Sequence, residues 1–474
     1  MLDSLRPSEP LRFWLGTSWI SLLALAGGSA RSDDPRQFIV QAGAAIVLAA
    51  AVWLFPVARV RRDVPLLLFA GCFVLLLVAQ LIPLPCSVWT SLPGREFYAL
   101  VERSVGLPCQ WRPLTLTPAL TLSTLFAVLP ALATIGIVTG MPSRDRVRLM
   151  LVVLAWVLAG CILALLQLAE GPQSALRAYR ITDANSAQGL LANRNHHAAF
   201  TAVGIIVLGF LPASFGQNRE WARWSAYICL ATGFFLLLSA MLSGSRAGTA
   251  AAMLACVFAV ITYFRTRSPE PRRLRSSRIR AYIIVGFLAL AAATTVAVAF
   301  RAGKTEGLSR ILTTSGSEES RIRWIDPLSK TALEYFPFGA GSGSFDPIYR
   351  RMEPFELLAT TYANHAHNEP LQIAIETGIP GLSLLALFLW WWFRQAMTTV
   401  KSHKEKSLPA RSTELGIMVT AVLLLFSLGD YPLRTPLLGS IFIIACALML
   451  HARAPGREKL ADPESHAKGE VLLP

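Results

Sequence analysis

Leu149-Met-Leu-Val-Val-Leu-Ala-Trp-Val-Leu-Ala-Gly-Cys-Ile-Leu-Ala-Leu-Leu-Gln-Leu168 runs for twenty residues without a charge. Wound as an α-helix at 1.5 Å per residue, it spans about 30 Å, the hydrocarbon thickness of a bilayer. Arg144, Arg146 and Arg148 stand just ahead of it. Similar apolar runs recur along the 474 residues, at about 12–30, 38–56, 65–84, 119–139, 148–168, 196–214, 224–242, 247–264, 281–300, 370–393, 413–429 and 436–452. Charged residues make up 15% of the chain, against about 25% in soluble domains, and hydrophobic residues 54%. The bilayer is therefore the expected solvent. The fold class that follows is all-α: a polytopic integral membrane helical bundle of about 12 transmembrane helices.

The net charge of +15 is concentrated in short loops between the apolar runs, not in a basic domain with interleaved aromatics, so no nucleic-acid partner is expected. Arg59, Arg61 and Arg62, then Arg144, Arg146 and Arg148, Arg219 and Arg223, the run from Arg265 to Arg280, and finally Lys401, Lys404, Lys406 and Arg411 fall in alternate loops. The positive-inside pattern makes these cytoplasmic, with both termini. The opposite loops are then periplasmic, and three are long: about 85–118, 169–195 and 301–369. The expected organisation is an N-terminal membrane bundle over 1–300 (about nine spans), a large periplasmic loop over 301–369 between the ninth and tenth spans, C-terminal spans over 370–452, and a disordered cytoplasmic tail over 453–474. The first apolar run lacks a small-residue cleavage site and reads as a retained helix. No Cys-x-x-Cys occurs among the seven cysteines. Cys86 and Cys109 share one periplasmic loop, where an oxidising compartment permits a disulfide.

Four polar stretches carry the chemistry, and all fall on the periplasmic face. The first is Tyr362-Ala-Asn-His-Ala-His-Asn-Glu-Pro-Leu-Gln-Ile-Ala-Ile-Glu-Thr-Gly-Ile-Pro-Gly381. Asn368 is an N-cap candidate and Pro370 suits a first helical turn. His367 then sits at a helix start, where the positive end of the dipole disfavours imidazolium and favours the neutral form a general base needs. A helix-anchoring role for His365 and His367 explains the same residues. Glu376, about two turns into the span, is a costly intramembrane carboxylate expected to pair with an Arg or hold a His. The second stretch is Leu242-Ser-Gly-Ser-Arg-Ala-Gly248, whose Arg246 can grip a diphosphate bidentately or merely snorkel. Third is Gly189-Leu-Leu-Ala-Asn-Arg-Asn-His-His-Ala198, in which Asn193, Arg194, Asn195, His196 and His197 exceed what a helix cap requires. Last, Ser320-Arg-Ile-Arg-Trp324 and Phe336-Pro-Phe-Gly-Ala-Gly-Ser-Gly-Ser-Phe345 place Arg321 and Arg323 as anion ligands, with glycines expected to bring the backbone close to a ligand. The Gly-rich segment lacks the Gly-Lys-Ser/Thr ending of a nucleotide-binding loop. No Asp-x-Asp motif appears. An anionic substrate handled with no metal and no cofactor is the expectation.

In order, Asn-x-Asn-x-x-Ala at Asn193–Ala198, Ser-Arg-Ala-Gly at Ser245–Gly248, Arg-to-Gly-x-Gly-Ser-Phe at Arg321–Phe345, and His-Asn-x-x-Leu-Gln-x-x-x-Glu-x-Gly-x-x-Gly at His367–Gly381 resemble the O-antigen ligase / O-antigen polymerase superfamily. The resemblance covers about residues 60–450. It implies an inner-membrane enzyme that takes a glycan from an undecaprenyl-diphosphate donor, at the periplasmic face, to an acceptor such as lipid A-core or a polysaccharide. It implies His367 as catalytic base, with Arg246 and Arg321 catalytic at the diphosphate and Arg323 an alternative to Arg321. Asn193, Arg194, Asn195, Arg323, His365, Asn368 and Glu376 are expected to bind substrate. A polymerase or a protein O-oligosaccharyltransferase of the same superfamily fits the same residues. Outside that class, a transporter of polyprenyl-linked glycans or anions also has many spans and buried Arg. Its charges, however, are expected near the midplane, not gathered at one surface.

Overall fold

The structure is a computed structural model that describes residues 9–54, 63–211, 219–266, 316–358, 363–401 and 408–450. Its elements in chain order are α1 (Glu9–Ala26), α2 (Arg36–Leu54), α3 (Val64–Gln80), β1 (Pro83–Leu84), α4 (Cys86–Ser91), α5 (Glu96–Ser104), β2 (Arg112–Pro113), α6 (Pro118–Ala127) and α7 (Leu129–Val138). They continue as α8 (Ser143–Glu170), α9 (Arg194–Phe210), α10 (Arg219–Leu242), α11 (Arg246–Thr266), α12 (Gly316–Glu334), α13 (Phe345–Met352), α14 (Glu369–Lys401), α15 (Leu408–Phe426) and α16 (Pro436–Met449). The chain is mostly helical, and the one sheet among the described residues is the β1–β2 pair. Five helices are long and apolar enough to cross a membrane: 36–54, 118–138, 143–170, 246–263 and 369–399. Helices also stand at the other predicted spans except 281–300, which lies outside the described residues together with the tail 453–474. The run 119–139 is not one straight helix but two, α6 and α7, separated at Val128 with Pro130 in the first turn of the second; proline cannot continue the ladder of the helix before it.

The bundle is organised around α9. Every residue from Asn195 to Gly209 is buried, as a helix apolar on all sides requires. Small residues make this possible: a Cβ on Gly204 would lie 2.6 Å from Val157, and one on Gly209 2.6 Å from the Ala259 backbone. Close approach through small residues is the usual packing device inside bilayers. At the opposite end from the polar stretches, Asp63 and Arg146 form an ion pair at 2.7 Å with both side chains fully buried. Arg146 also donates to the carbonyls of Val138, at 2.8 Å, and Ala447, while Gly140 N–H donates to Asp63 at 2.7 Å. Arg146 is thus not a solvated loop charge but a tie between the start of α8, the turn before it, the start of α3 and the end of α16. Arg144 and Arg148 remain exposed.

The long helix α14 is interrupted. Gly378 has φ 56° and ψ −142°, a conformation that L-residues with a side chain rarely adopt. The carbonyls of Ile375 and Glu376 accept hydrogen bonds from the N–H groups of Ala340 (2.8 Å) and Gly341 (2.9 Å), and Ile379 N–H donates to Pro337 O at 2.8 Å. Gln80 adds a further donor to Glu376 O at 3.0 Å and accepts from Ser342 N–H at 2.9 Å. The Gly-rich stretch 339–343 therefore approaches protein backbone. A Cβ on Gly339 would meet the Glu376–Thr377 peptide at 2.6 Å. Cys86 and Cys109 are joined as a disulfide, Cα atoms 5.6 Å apart, beside the β1–β2 ladder.

Candidate active site

Three segments meet at one end of the bundle: the start of α9, residues 363–368 leading into α14, and the turn 427–435 between α15 and α16. Local sequence explains each. Asn193 caps α9 by accepting from Asn195 N–H at 2.7 Å, and Asn368 Oδ1 accepts from Leu371 N–H at 3.0 Å at the start of α14. Thr435 is the N-cap of α16, followed by Pro436. His367 has φ 49°, an exception among the non-glycine residues described. Such a conformation costs about 1–3 kcal/mol and persists where its surroundings over-determine it, commonly at functional sites.

Asp430 is the hub. Its side chain is 1% exposed. One carboxylate oxygen lies 3.3 Å from His196 Nε2 and 3.6 Å from His367 Nδ1; the other accepts from Asn195 Nδ2 at 2.5 Å. Burial acts to raise the Asp430 pKa, but the two imidazoles facing it outweigh this and hold the carboxyl well below the usual range. His367 keeps 17% of its side chain exposed. The imidazole can thus reach a substrate while Asp430 cannot. The Tyr431 ring packs on all three imidazoles of the cluster, with centroids 5.0 Å from His196, 4.3 Å from His365 and 4.9 Å from His367. Trp324 of α12 stands 5.9 Å from His367.

A second polar layer lies behind. Gln372 donates to Glu376 Oε1 at 3.0 Å, contacts His365 Nδ1 at 3.2 Å and accepts from Ala366 N–H at 3.0 Å. Arg434 makes a two-pronged bond to Glu369, at 2.8 and 2.9 Å, and lies 3.8 Å from Glu376. Glu376 thus lies within 3.8 Å of Arg434 and reaches His365 only through Gln372. Burial, followed by the charges of Arg434 and the neighbouring imidazoles, pushes His365 well below its ordinary value. Arg194 turns away to Asp183, at 2.7 Å. Arg246 opens α11, where a Cβ on Gly248 would lie 2.2 Å from that of Ala198, so the start of α11 lies against the first turn of α9. Arg323 is exposed on α12, and residue 321 is one turn ahead of Trp324; the Arg321 side chain lies outside the described residues. His197, adjacent to His196, faces the bundle interior instead, 3.0 Å from Ser239 Oγ.

The sequence of the O-antigen ligase family matches residues 231–386. That segment, about a third of the chain, is similar to the O-antigen ligase family. The matched O-antigen ligase segment holds Arg246, Arg321, Arg323, His365, His367, Asn368 and Glu376 and ends ahead of Asp430. No curated protein matches the chain. Members of the superfamily are glycosyltransferase-type enzymes acting on lipid-linked or polysaccharide substrates. Sequence reasoning missed Asp430, Tyr431 and Arg434 in this site and left His196 as an undifferentiated member of a polar cluster. The signal was present: Gly429-Asp-Tyr-Pro-Leu-Arg434 places one charge of each sign between two apolar runs.

Proposed function

We propose that this chain is an inverting glycosyltransferase, independent of metal ions and cofactors, that moves a glycan from undecaprenyl diphosphate to an acceptor hydroxyl at the periplasmic face of the inner membrane. The observation that carries the reading is the pairing of partly exposed His367, inside the O-antigen ligase segment, with buried Asp430, which lies beyond that segment in the turn between α15 and α16. A carboxylate 3.6 Å from one ring nitrogen steadies the imidazolium that forms when the other nitrogen takes a proton. His367 removes the acceptor hydroxyl proton as that oxygen attacks the anomeric carbon. The bond from that carbon to the diphosphate oxygen breaks, and the undecaprenyl diphosphate leaves with the electron pair. Single displacement inverts the anomeric centre. Arg246, together with Arg321 or Arg323, stabilises the charge growing on the diphosphate. Asn195 and His196 hold Asp430; Glu369, Gln372, Glu376 and Arg434 hold the start of α14 beneath His367.

Purified enzyme in proteoliposomes, supplied with an undecaprenyl-diphosphate glycan and an acceptor, is expected to turn over in EDTA. Activity that vanishes in EDTA and returns with magnesium or manganese would refute the metal-free mechanism. Arg246→Ala abolishes transfer while leaving membrane insertion intact, and Lys rescues poorly because a point charge cannot supply the bidentate fork. Full activity of Arg246→Ala would remove it from the diphosphate clamp. Cells lacking the protein should accumulate the lipid-linked glycan and lose the finished surface glycan.

A further inference from the structure

Helix α5 is amphipathic in the wrong direction for a loop that folds only onto its own protein. Its inner face is built: Ala99 is buried, Tyr98 lies beneath the Arg351 guanidinium at 5.7 Å from the ring centroid, and Arg95 just ahead donates to Leu114 O at 2.7 Å and Gly339 O at 3.1 Å. Phe97 is shared between the two faces, its ring 5.1 Å from the Arg351 guanidinium; the outer face carries Leu100 and Val101, with Val105 just past the helix end. Leu100 is 64% exposed and Val105 65%. Leu107 and Trp111 continue the exposed apolar set, Trp111 at 67%. The charged Glu96 and Arg103 lie to one side of that face.

A patch of this kind on a soluble surface marks an interaction site. What covers it follows from where the chain comes from and goes. The segment 81–117 leaves the apolar helix α3 at Gln80 and enters the membrane-length helix 118–138 at Pro118. Its two ends are pinned together by the β1–β2 pair and the disulfide, so α5 cannot rise far from the bilayer surface. The helix it leads into exposes Leu122 and Phe126, four residues apart on one side, and Leu120 on another. Exposed aliphatics on a charged-edged helix, with an exposed Trp further along the same loop, are the features of a segment lying in the membrane interface. We propose that the outer face of α5, with Leu107 and Trp111, is embedded in the acyl–headgroup boundary of the leaflet on the site's side. Its occupant is membrane phospholipid. The inference rests on the membrane placement of the chain and not on the glycan-transfer reading. The embedded helix acts as a depth stop. Through Arg95 and Tyr98 it bears on the Gly-rich stretch and on Arg351. The Gly-rich stretch in turn pairs with α14 below His367, so the bilayer surface sets the height of the site.

Benzoylphenylalanine placed at Leu100 and at Val105 of the full-length protein, irradiated in native membranes, tests this. Glu96 and Arg103 serve as control positions. Mass spectrometry should find phospholipid adducts at 100 and 105 several-fold above those at 96 and 103. A discrete protein adduct at 100 or 105 would make the face a protein-docking surface and overturn the proposal. Equally low lipid labelling at all four positions would do the same, placing the face in water. Retention of the Cys86–Cys109 disulfide on non-reducing gels confirms that each variant is folded. Where a helix variant fails that check, the same readings at Leu107 and Trp111, outside the helix, decide.

Discussion

Two imidazoles, His196 and His367, face one oxygen of Asp430, and only His367 is open to a substrate. If His367 and Asp430 work as a unit, His367→Ala and Asp430→Asn each lower the chemical step by about 10²–10⁴-fold. The double variant is then no slower than His367→Ala alone, because residues acting together lose their effect once. Single-turnover kinetics on pre-bound donor check this; multiplied losses in the double variant would separate the two residues. His365 contributes a pH dependence to stability. Burial and Arg434 depress its folded-state pKa, so the unfolded chain binds its proton first. Stability from this group is full above about pH 6.5 and falls as pH drops below that value toward the folded-state pKa. Thermal unfolding in detergent should show the midpoint falling between pH 7 and pH 5, with a smaller fall in His365→Asn. The polar types at 193–197 and 365–376 were legible because a helix entrance rarely needs so many of them. The role of Asp430 was not, because its partners come from two other segments that the chain brings back only in three dimensions.

At the scale of single elements, the apolar runs announced the helices, and α14 appears where its run predicts. Its break at Gly378 was not legible. Gly-Ile-Pro-Gly in a membrane helix is tolerated when neighbours take up the freed backbone groups. Those neighbours are Pro337, Ala340 and Gly341, whose pairing with residues 375–379 no local pattern reveals. A Cβ on Gly378 would lie 2.0 Å from Pro337 O, whereas one on Gly106, also at positive φ (+72°), meets nothing within 4 Å. Gly106→Ala should therefore cost only the conformational term, about 1–2 kcal/mol. Gly378→Ala should cost more and should reduce transfer as well, since Glu376 rides on that helix and His367 stands just ahead of its start. Calorimetric or fluorescence-detected unfolding of the two variants compares them directly. Equal losses would mean that the strap yields to the added carbon.

For the whole molecule, the proposed topology of twelve spans with both termini in the cytoplasm requires reporters fused at about 270 and about 340 to lie on opposite sides of the membrane. Reporters found on one side would dismantle it. The Asp63–Arg146 pair offers a second test at this scale. Removing one partner of a buried pair strands the other, at about 3–5 kcal/mol, whereas replacing both with apolar residues is often nearly neutral. Arg146→Leu should therefore lower the folded yield in membranes more than Asp63→Leu combined with Arg146→Leu. This pair also has a meaning in the making of the protein. Asp63 leaves the ribosome 83 residues ahead of Arg146, and the Ala447 carbonyl that completes the Arg146 site is synthesised some three hundred residues after that arginine. Neither charge can settle among lipid tails alone, so the nascent chain must keep both at the aqueous edge until its last helix arrives. A chain truncated before α16 carries an incompletely held arginine, a visible mark of an unfinished product for the cell's membrane proteases.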